Sequence, residues 1–286
     1  MTNGKVLTST EITSAKKIAG EEKAVEIVAK AGFDAWDFSM LDITNPEHPV
    51  RQKDYIKYVR HLRKIGEDNG IHCNQSHAPC PTHKPEIWDL QKLAIECTAE
   101  AGGKICVIHP LRNDPFEDNA NKYRELLPFA KDCGVKIATE NMWNWDEIKD
   151  QAFEWACSTH KTFKDFVEYV NDPYLIACAD VGHAEMRGLN TSCDKLIRAL
   201  GKHCQALHIH DNDLWHDDHT IPGKGLIDFN KMLDALVDIN YDGYFTLEAY
   251  KYADGRTKDN VLDAFKELSV AVRKLASEFE ERMRNK

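Results

Sequence analysis

The chain has 286 residues, 42% hydrophobic and 9% aromatic, with a formal net charge of −10. That is enough apolar material for one packed barrel-sized domain, and the acidic balance disfavours a phosphate-backbone partner, so nucleic acid is not an expected ligand. No apolar run reaches the roughly 18 residues of a membrane span, and MTNGKVLTSTEITSAKK lacks the apolar stretch of a secretory leader, so a cytoplasmic protein with no membrane partner is expected.

From the N-terminus onward, short apolar runs alternate with amphipathic segments. VLTSTEI (6–12) leads into EEKAVEIVAKAG, and AWDFSM (35–40) into KDYIKYVRHLRKIGEDNG. IHCNQSHA (71–78) precedes EIWDLQKLAIECTAEAGG, and KICVIHP (104–110) precedes NKYRELLPFAKDCG. KIATENM (136–142), LIACADVGHA (175–184), ALHIHDND (206–213) and YFTLEAY (244–250) complete the candidate strands. Gly32, Gly70, Gly102, Gly134 and Gly243 fall between helix and strand, where a helix end takes a left-handed residue. Eight such units with no composition break predict an α/β fold, a single (β/α)₈ TIM barrel over 1–286. An open doubly wound sheet would carry a glycine-rich phosphate turn after its first strand, and VLTSTEITSAKK has none.

Two segments depart from the minimal barrel. Residues 142–164 form a long connection carrying Trp143, Trp145 and Trp155, which reads either as a lid or as an extra helix with tryptophan in its core contact. The C-terminal helix, about 257–285, ends in ERMRNK and reads as a solvated closing helix or as the contact of a homo-oligomer. The nine cysteines are odd in number and form no CxxC pair, so reduced thiols are expected.

The strand ends carry the chemistry. Stability alone calls for apolar or small residues there. Instead the strands end in His77, His109, Glu140, Asp180 with His183, His210 and Glu248. In this architecture the active site is built at the C-terminal ends of the strands. Three carboxylates and an imidazole (Glu140, Asp180, His210 and Glu248) suit a divalent Mn, Co, Mg or Zn ion, and would repel strongly without a cation. His208 shares a strand face with His210 but lies further from the strand end, and reads as a supporting or core residue or, alternatively, as a ligand. Asp217 and His219, before Pro222-Gly223-Lys224-Gly225, read either as a solvated acidic loop or as ligands of a further ion.

The motifs IATENM, ADVGH, HIHDND with PGKGLIDF, and TLEAY, in this order, resemble those of the xylose-isomerase-like TIM barrels. That superfamily includes sugar isomerases, ketose 3-epimerases, inosose dehydratases and type IV apurinic endonucleases. The resemblance to the epimerase branch implies one divalent metal on Glu140, Asp180, His210 and Glu248. It also implies proton transfer by Glu140 and Glu248, and substrate contact by His183. Where that branch has an arginine about six residues past the metal histidine, this chain has His216. The endonuclease branch holds three zinc ions, and every one of its ligand positions has a match here: His77, His109, Glu140, Asp180, His183, His210, Asp217, His219 and Glu248. Its early glycine motif is absent, with VLTSTEITSAKK in its place.

Chemically, a cation on the carbonyl and hydroxyl oxygens of a sugar would stabilise an enediolate, while one glutamate removes the proton and the other returns it. Without return on the opposite face, the same site gives isomerisation or dehydration. Trp143 and Trp145 are expected to cover the sugar, His216 to contact it, and His77 and His109 to hold hydroxyls or metal. The expected partner is a small carbohydrate. A phosphate group would need a basic cluster, for which Lys224 is the obvious nearby candidate. The rival readings are a multinuclear zinc phosphoesterase, a dehydratase on the same scaffold, and a noncatalytic sugar-binding barrel.

Overall fold

The computed structural model describes residues 5–111 and 116–286. Eight parallel strands form one sheet: β1 (Thr8–Glu11), β2 (Ala35–Ser39), β3 (His72–His77), β4 (Ile105–Val107), β5 (Lys136–Glu140), β6 (Leu175–Asp180), β7 (Cys204–His208) and β8 (Phe245–Leu247). They follow one another in chain order, with β8 beside β1. The last gap is closed by a parallel bridge between Ile209 and Leu247, where Ile209 N donates to Thr246 O at 2.9 Å and Glu248 N to Ile209 O at 3.0 Å. The sheet is therefore a closed TIM barrel ringed by helices.

Period-two alternation sorts the strand residues between two cores. One face packs against the helices in a large apolar cluster that includes Trp36, Phe38, Ile137, Leu207 and Phe245. The other face points into the barrel, where Val107, Ala138, Ile176, Cys178 and Ala206 form a small separate cluster. Two residues beyond members of that cluster stand His109, Glu140, Asp180 and His208. They share its inward face, one repeat nearer the C-terminal mouth. The opposite side of the interior is polar. Ser9 Oγ donates to Asn74 Oδ1 at 2.6 Å, and Gln75 Nε2 donates to Asp37 Oδ2 at 2.9 Å.

The boundaries differ from the sequence expectation at several strand ends. LIACADVGHA is not one strand. β6 stops at Asp180, whose Oδ1 accepts the His183 N–H at 2.6 Å and caps a helical turn over Val181–Glu185. YFTLEAY is strand only over Phe245–Leu247, and Tyr250–Ala253 is a 3₁₀ turn. Gly32, Gly70, Gly102 and Gly134 take positive φ, but Gly243 does not; Asn240, at φ 54°, turns the chain there. Gly243 instead leaves room for Tyr241, whose hydroxyl a Cβ would strike.

Within 142–164 the chain forms an antiparallel hairpin, Asn144–Asp146 with Gln151–Phe153, rather than an extra helix. It packs Ala152 against Met186 and Leu189, with Trp143 and Trp145 alongside. The C-terminal helix runs Val261–Arg284. All nine cysteines are free. Among the described residues, no helix is long and apolar enough to cross a membrane.

Candidate active site

The barrel mouth opens into a cavity of about 290 Å³. Glu140, Glu248, His77, His109, His183, Asp217 and His219 form its floor and one side. The upper wall is apolar and aromatic: Leu41, Pro81, Pro110, Met142, Trp143, Trp155 and Tyr250. Asp180 and His210 lie beneath, fully buried. Residues from six strands and the loops after them thus meet in one place, although 171 positions separate the first and last of them, His77 and Glu248.

Ligand atoms within 4.8 Å of one another form four overlapping groups: Glu140, Asp180, His208 and Glu248; His183, His210, Asp217 and His219; His77, His109 and Glu140; and His77, His208 and Glu248. The sequence placed His210 with the three carboxylates; the tight group has His208 instead. His208 Nδ1 lies 3.2 Å from Glu140 Oε1 and 3.5 Å from Glu248 Oε2. His210 Nε2 lies 3.2 Å from Asp180 Oδ1 and 3.6 Å from Asp217 Oδ1, which links the first group to the second. Burial and 2-residue spacing were legible in HIHDND; which imidazole turns toward which carboxylate was not, because spacing fixes a shared face and not the direction each ring takes.

The second group depends on a folded-back loop. Both oxygens of the buried Asp211 carboxylate accept backbone N–H groups: Gly223 at 2.7 Å and Gly225 at 2.9 Å on Oδ2, Asn212 at 2.9 Å and Ile227 at 3.1 Å on Oδ1. A bridge pairs Asp211 with Thr220. This knot brings Asp217 and His219 back over the mouth, where His219 stacks between His210 and Tyr250 at 4.0 and 4.2 Å.

A cation fits these donors. Among the described residues, Glu140 Oε2, Asp180 Oδ2 and Asp217 Oδ1 are buried with no hydrogen-bond partner, and buried carboxylate oxygens are rarely left so unless they bind a cation. Protonation is shifted across the site in opposite directions. Burial alone would raise the Glu140 carboxyl, but the His208 and His109 imidazoles outweigh it and hold Glu140 well below the usual range. Burial drives Glu248 well above that range, with the Glu140 and Asp180 charges adding to it. Burial and the adjacent His109 ring push His77 down to about 3. His109 is carried up to about 10 against its burial, by Cys80 and Glu140.

Three expected substrate contacts divide. Trp143 lines the cavity. Trp145 and His216 stack on each other at 5.8 Å and are not among the lining residues. The Asp213 carboxylate fixes this outward turn by accepting the Trp215 and His216 backbone N–H groups, and it pairs with the His216 ring at 2.8 Å. Lys224 sits over the Tyr252 ring at 4.4 Å. Cys80, Thr82, His83, Trp155 and Tyr250 line the cavity without having been singled out as contacts. For Cys80, Thr82, His83 and Tyr250 the only signal was position, in the loops after strands at the mouth, whereas Trp155 stood among the tryptophans of the 142–164 connection.

The sequence profile of the xylose isomerase-like TIM-barrel family matches residues 25–269. An uncharacterised protein of Methanocaldococcus jannaschii is 25% identical over 263 residues, covering 86% of this chain and 84% of the relative. A D-psicose 3-epimerase of Ruminiclostridium cellulolyticum is 23% identical over 258 residues, covering 83% and 80%. The solved IOLI protein, with a binding zinc atom, superposes with a TM-score of 0.75 at 19% identity, covering 96% of this chain and 99% of that one.

Proposed function

Since the chain belongs to the xylose isomerase-like TIM-barrel family, we propose that it is a divalent-metal-dependent isomerase or epimerase acting on a small carbohydrate. The observation that carries this reading is the Glu140–Glu248 pair. The two carboxylates come from β5 and from the end of β8, reach within 4.8 Å through their ligand atoms, and face one cavity. Two carboxylates that reach one cavity from different strands can approach a bound molecule from different sides.

Glu140, Asp180 and Glu248 would hold the ion, of Mn, Co, Mg or Zn type, with His210 joining them from beside Asp180, where its Nε2 lies 3.2 Å from Oδ1. When bound, it supplies Lewis-acid stabilisation of the negative charge that develops when a carbon beside a carbonyl loses its proton. Glu140 and Glu248, carried by different strands, would move the substrate proton, one removing it and the other returning one. His183, with its Nδ1 2.9 Å from Asn141 O and its Nε2 directed to Asp217 at 3.5 Å, contacts a substrate hydroxyl. Trp143 and Trp155 cover the apolar face of the sugar and exclude water.

A specific observation keeps a second reading, a multinuclear phosphoesterase: the two further groups, around Asp217 and around His77, each offer three or more ligand atoms. Metal content separates the two. The experiment loads the protein with Mn²⁺ and with Zn²⁺ separately and incubates it with ketoses, inososes and their phosphates in D₂O. Deuterium incorporation is followed by NMR and metal is counted per chain. Exchange into a C–H beside a carbonyl, abolished by Glu248→Gln, is expected. Absence of exchange on every sugar, with three zinc ions and phosphoester cleavage, overturns the reading.

A further inference from the structure

We propose that Asp37 is a positioning residue that acts on the two reacting glutamates through His208. The proposal rests on the reading of Glu140 and Glu248 as the proton-transfer pair, and it concerns residues below the cavity that no contact with substrate explains.

Asp37 lies on β2, inside the barrel, and is fully buried. One oxygen, Oδ2, accepts Gln75 Nε2 at 2.9 Å; the other, Oδ1, has no hydrogen-bond partner among the described residues. A carboxylate placed in a barrel interior with half its acceptors unused is costly, and an apolar residue of similar size would be favoured there for stability alone. Directly across the interior stands His208 Nε2, 3.7 Å from Asp37 Oδ2 and likewise without a hydrogen-bond partner. Each of these two groups is a complementary neighbour for the other.

The far edge of the same ring reaches the reacting groups, Nδ1 lying 3.2 Å from Glu140 and 3.5 Å from Glu248. His77 stacks on the ring, with centroids 5.6 Å apart and planes 13° from parallel, which fixes its plane. Gln75, which holds Asp37, is itself held by Thr246 Oγ1 at 3.3 Å, two residues before Glu248. The ring thus stacks on His77, has Asp37 3.7 Å from one nitrogen, and presents the other nitrogen between the two carboxylates. A buried carboxylate that orients an imidazole, whose other nitrogen faces the working site, is how supporting residues tune a metal centre. Contacts of this kind are often long before the site is loaded.

The test is a double-mutant cycle of Asp37→Asn and His208→Gln, read by calorimetric titration with Mn²⁺ alone and by urea unfolding. Asparagine keeps the shape of residue 37 and removes its charge. Asp37→Asn is expected to leave unfolding stability equal or higher and the Mn²⁺ stoichiometry unchanged, while affinity falls about 10–100-fold. His208→Gln is expected to cost a similar factor, and the double variant no more than the larger single loss. Wild-type affinity in Asp37→Asn overturns the proposal. So does full additivity in the double variant, or affinity and stability falling together as for a merely structural residue. If His208→Gln does not fold, the first variant still decides, since it needs only affinity and stability. Should Glu248→Gln retain deuterium exchange, the proton-transfer reading falls while the Mn²⁺ cycle still reports on the Asp37–His208 link.

Discussion

Gly182 packs directly against the imidazole of His210. A Cβ built on Gly182 would come closer than 3.0 Å to three ring atoms, Cε1, Nε2 and Nδ1. The ring therefore occupies the space a side chain would need, one residue before His183 in the turn that Asp180 caps. Asn212 Nδ2 donates to Gly182 O at 2.9 Å and ties the two segments together. Gly182→Ala should push the His210 ring away from Asp180, at a cost of about 1–3 kcal/mol from overpacking. Urea unfolding and Mn²⁺ titration of the same variant check this. A variant with wild-type stability and wild-type metal affinity would show that the ring has room to move.

The Asp211 knot makes a separate prediction. Four backbone N–H groups end on one carboxylate, and hydrogen bonds to a charged acceptor are each worth about 1.5–3 kcal/mol when buried. Asp211→Ala should release residues 212–226 and make that loop the first site of limited proteolysis, with Asp217 and His219 no longer held over the mouth. Glu140 and Glu248, carried by other strands, should stay in place. Cleavage rates equal to wild type would count against the knot.

Much of this was readable in the chain itself. Glu140, Asp180 and Glu248 lie on the inward face because period-two alternation and the apolar residues before them fix that face. The order of the strands follows from the glycine-punctuated repeats. The hairpin at Asn144–Phe153 was not readable: three-residue strands of mixed polarity carry no periodic signal. Nor was the direction of His216, which is set by the Asp213 side chain rather than by any pattern of hydrophobicity. The place of His208 in the tight carboxylate group depends on the direction each ring takes, which residue spacing does not fix.

Glu11, at the end of β1, gives a pH test away from the metal-binding groups. Burial raises its carboxyl from 4.5 to about 7, against the Thr13 hydrogen bonds that lower it. The folded protein thus keeps a proton that the unfolded chain releases from about pH 4.5. Its contribution is fully present below pH 4.5 and is lost as pH rises to 7, where roughly 3 kcal/mol has gone. Glu11→Gln should flatten that part of the stability profile and be more stable than wild type above pH 7. Urea melts at pH 5, 6, 7 and 8 measure it; parallel profiles for the two proteins would remove Glu11 as the source.

Metal and protons compete for the same nitrogens, which fixes the sign of a last prediction. Burial would depress His183 and His210, but the Asp180 and Asp217 carboxylates outweigh it and raise both, and His109 is carried up to about 10. In the metal-free protein the neighbouring carboxylates therefore favour the protonated form of these rings. A cation can be ligated only by the neutral ring, so its binding must release protons. Mn²⁺ affinity should rise with pH between 6 and 8, about tenfold per unit for each proton displaced. Calorimetry in buffers of different ionisation enthalpy counts those protons directly. A His210→Gln variant should release fewer of them. A Glu11→Gln variant should release as many as wild type, since Glu11 belongs to none of the ligand groups. Affinity that is flat across this range, with no buffer dependence of the heat, would mean that the imidazoles are already neutral and that the carboxylates around them are balanced by something else.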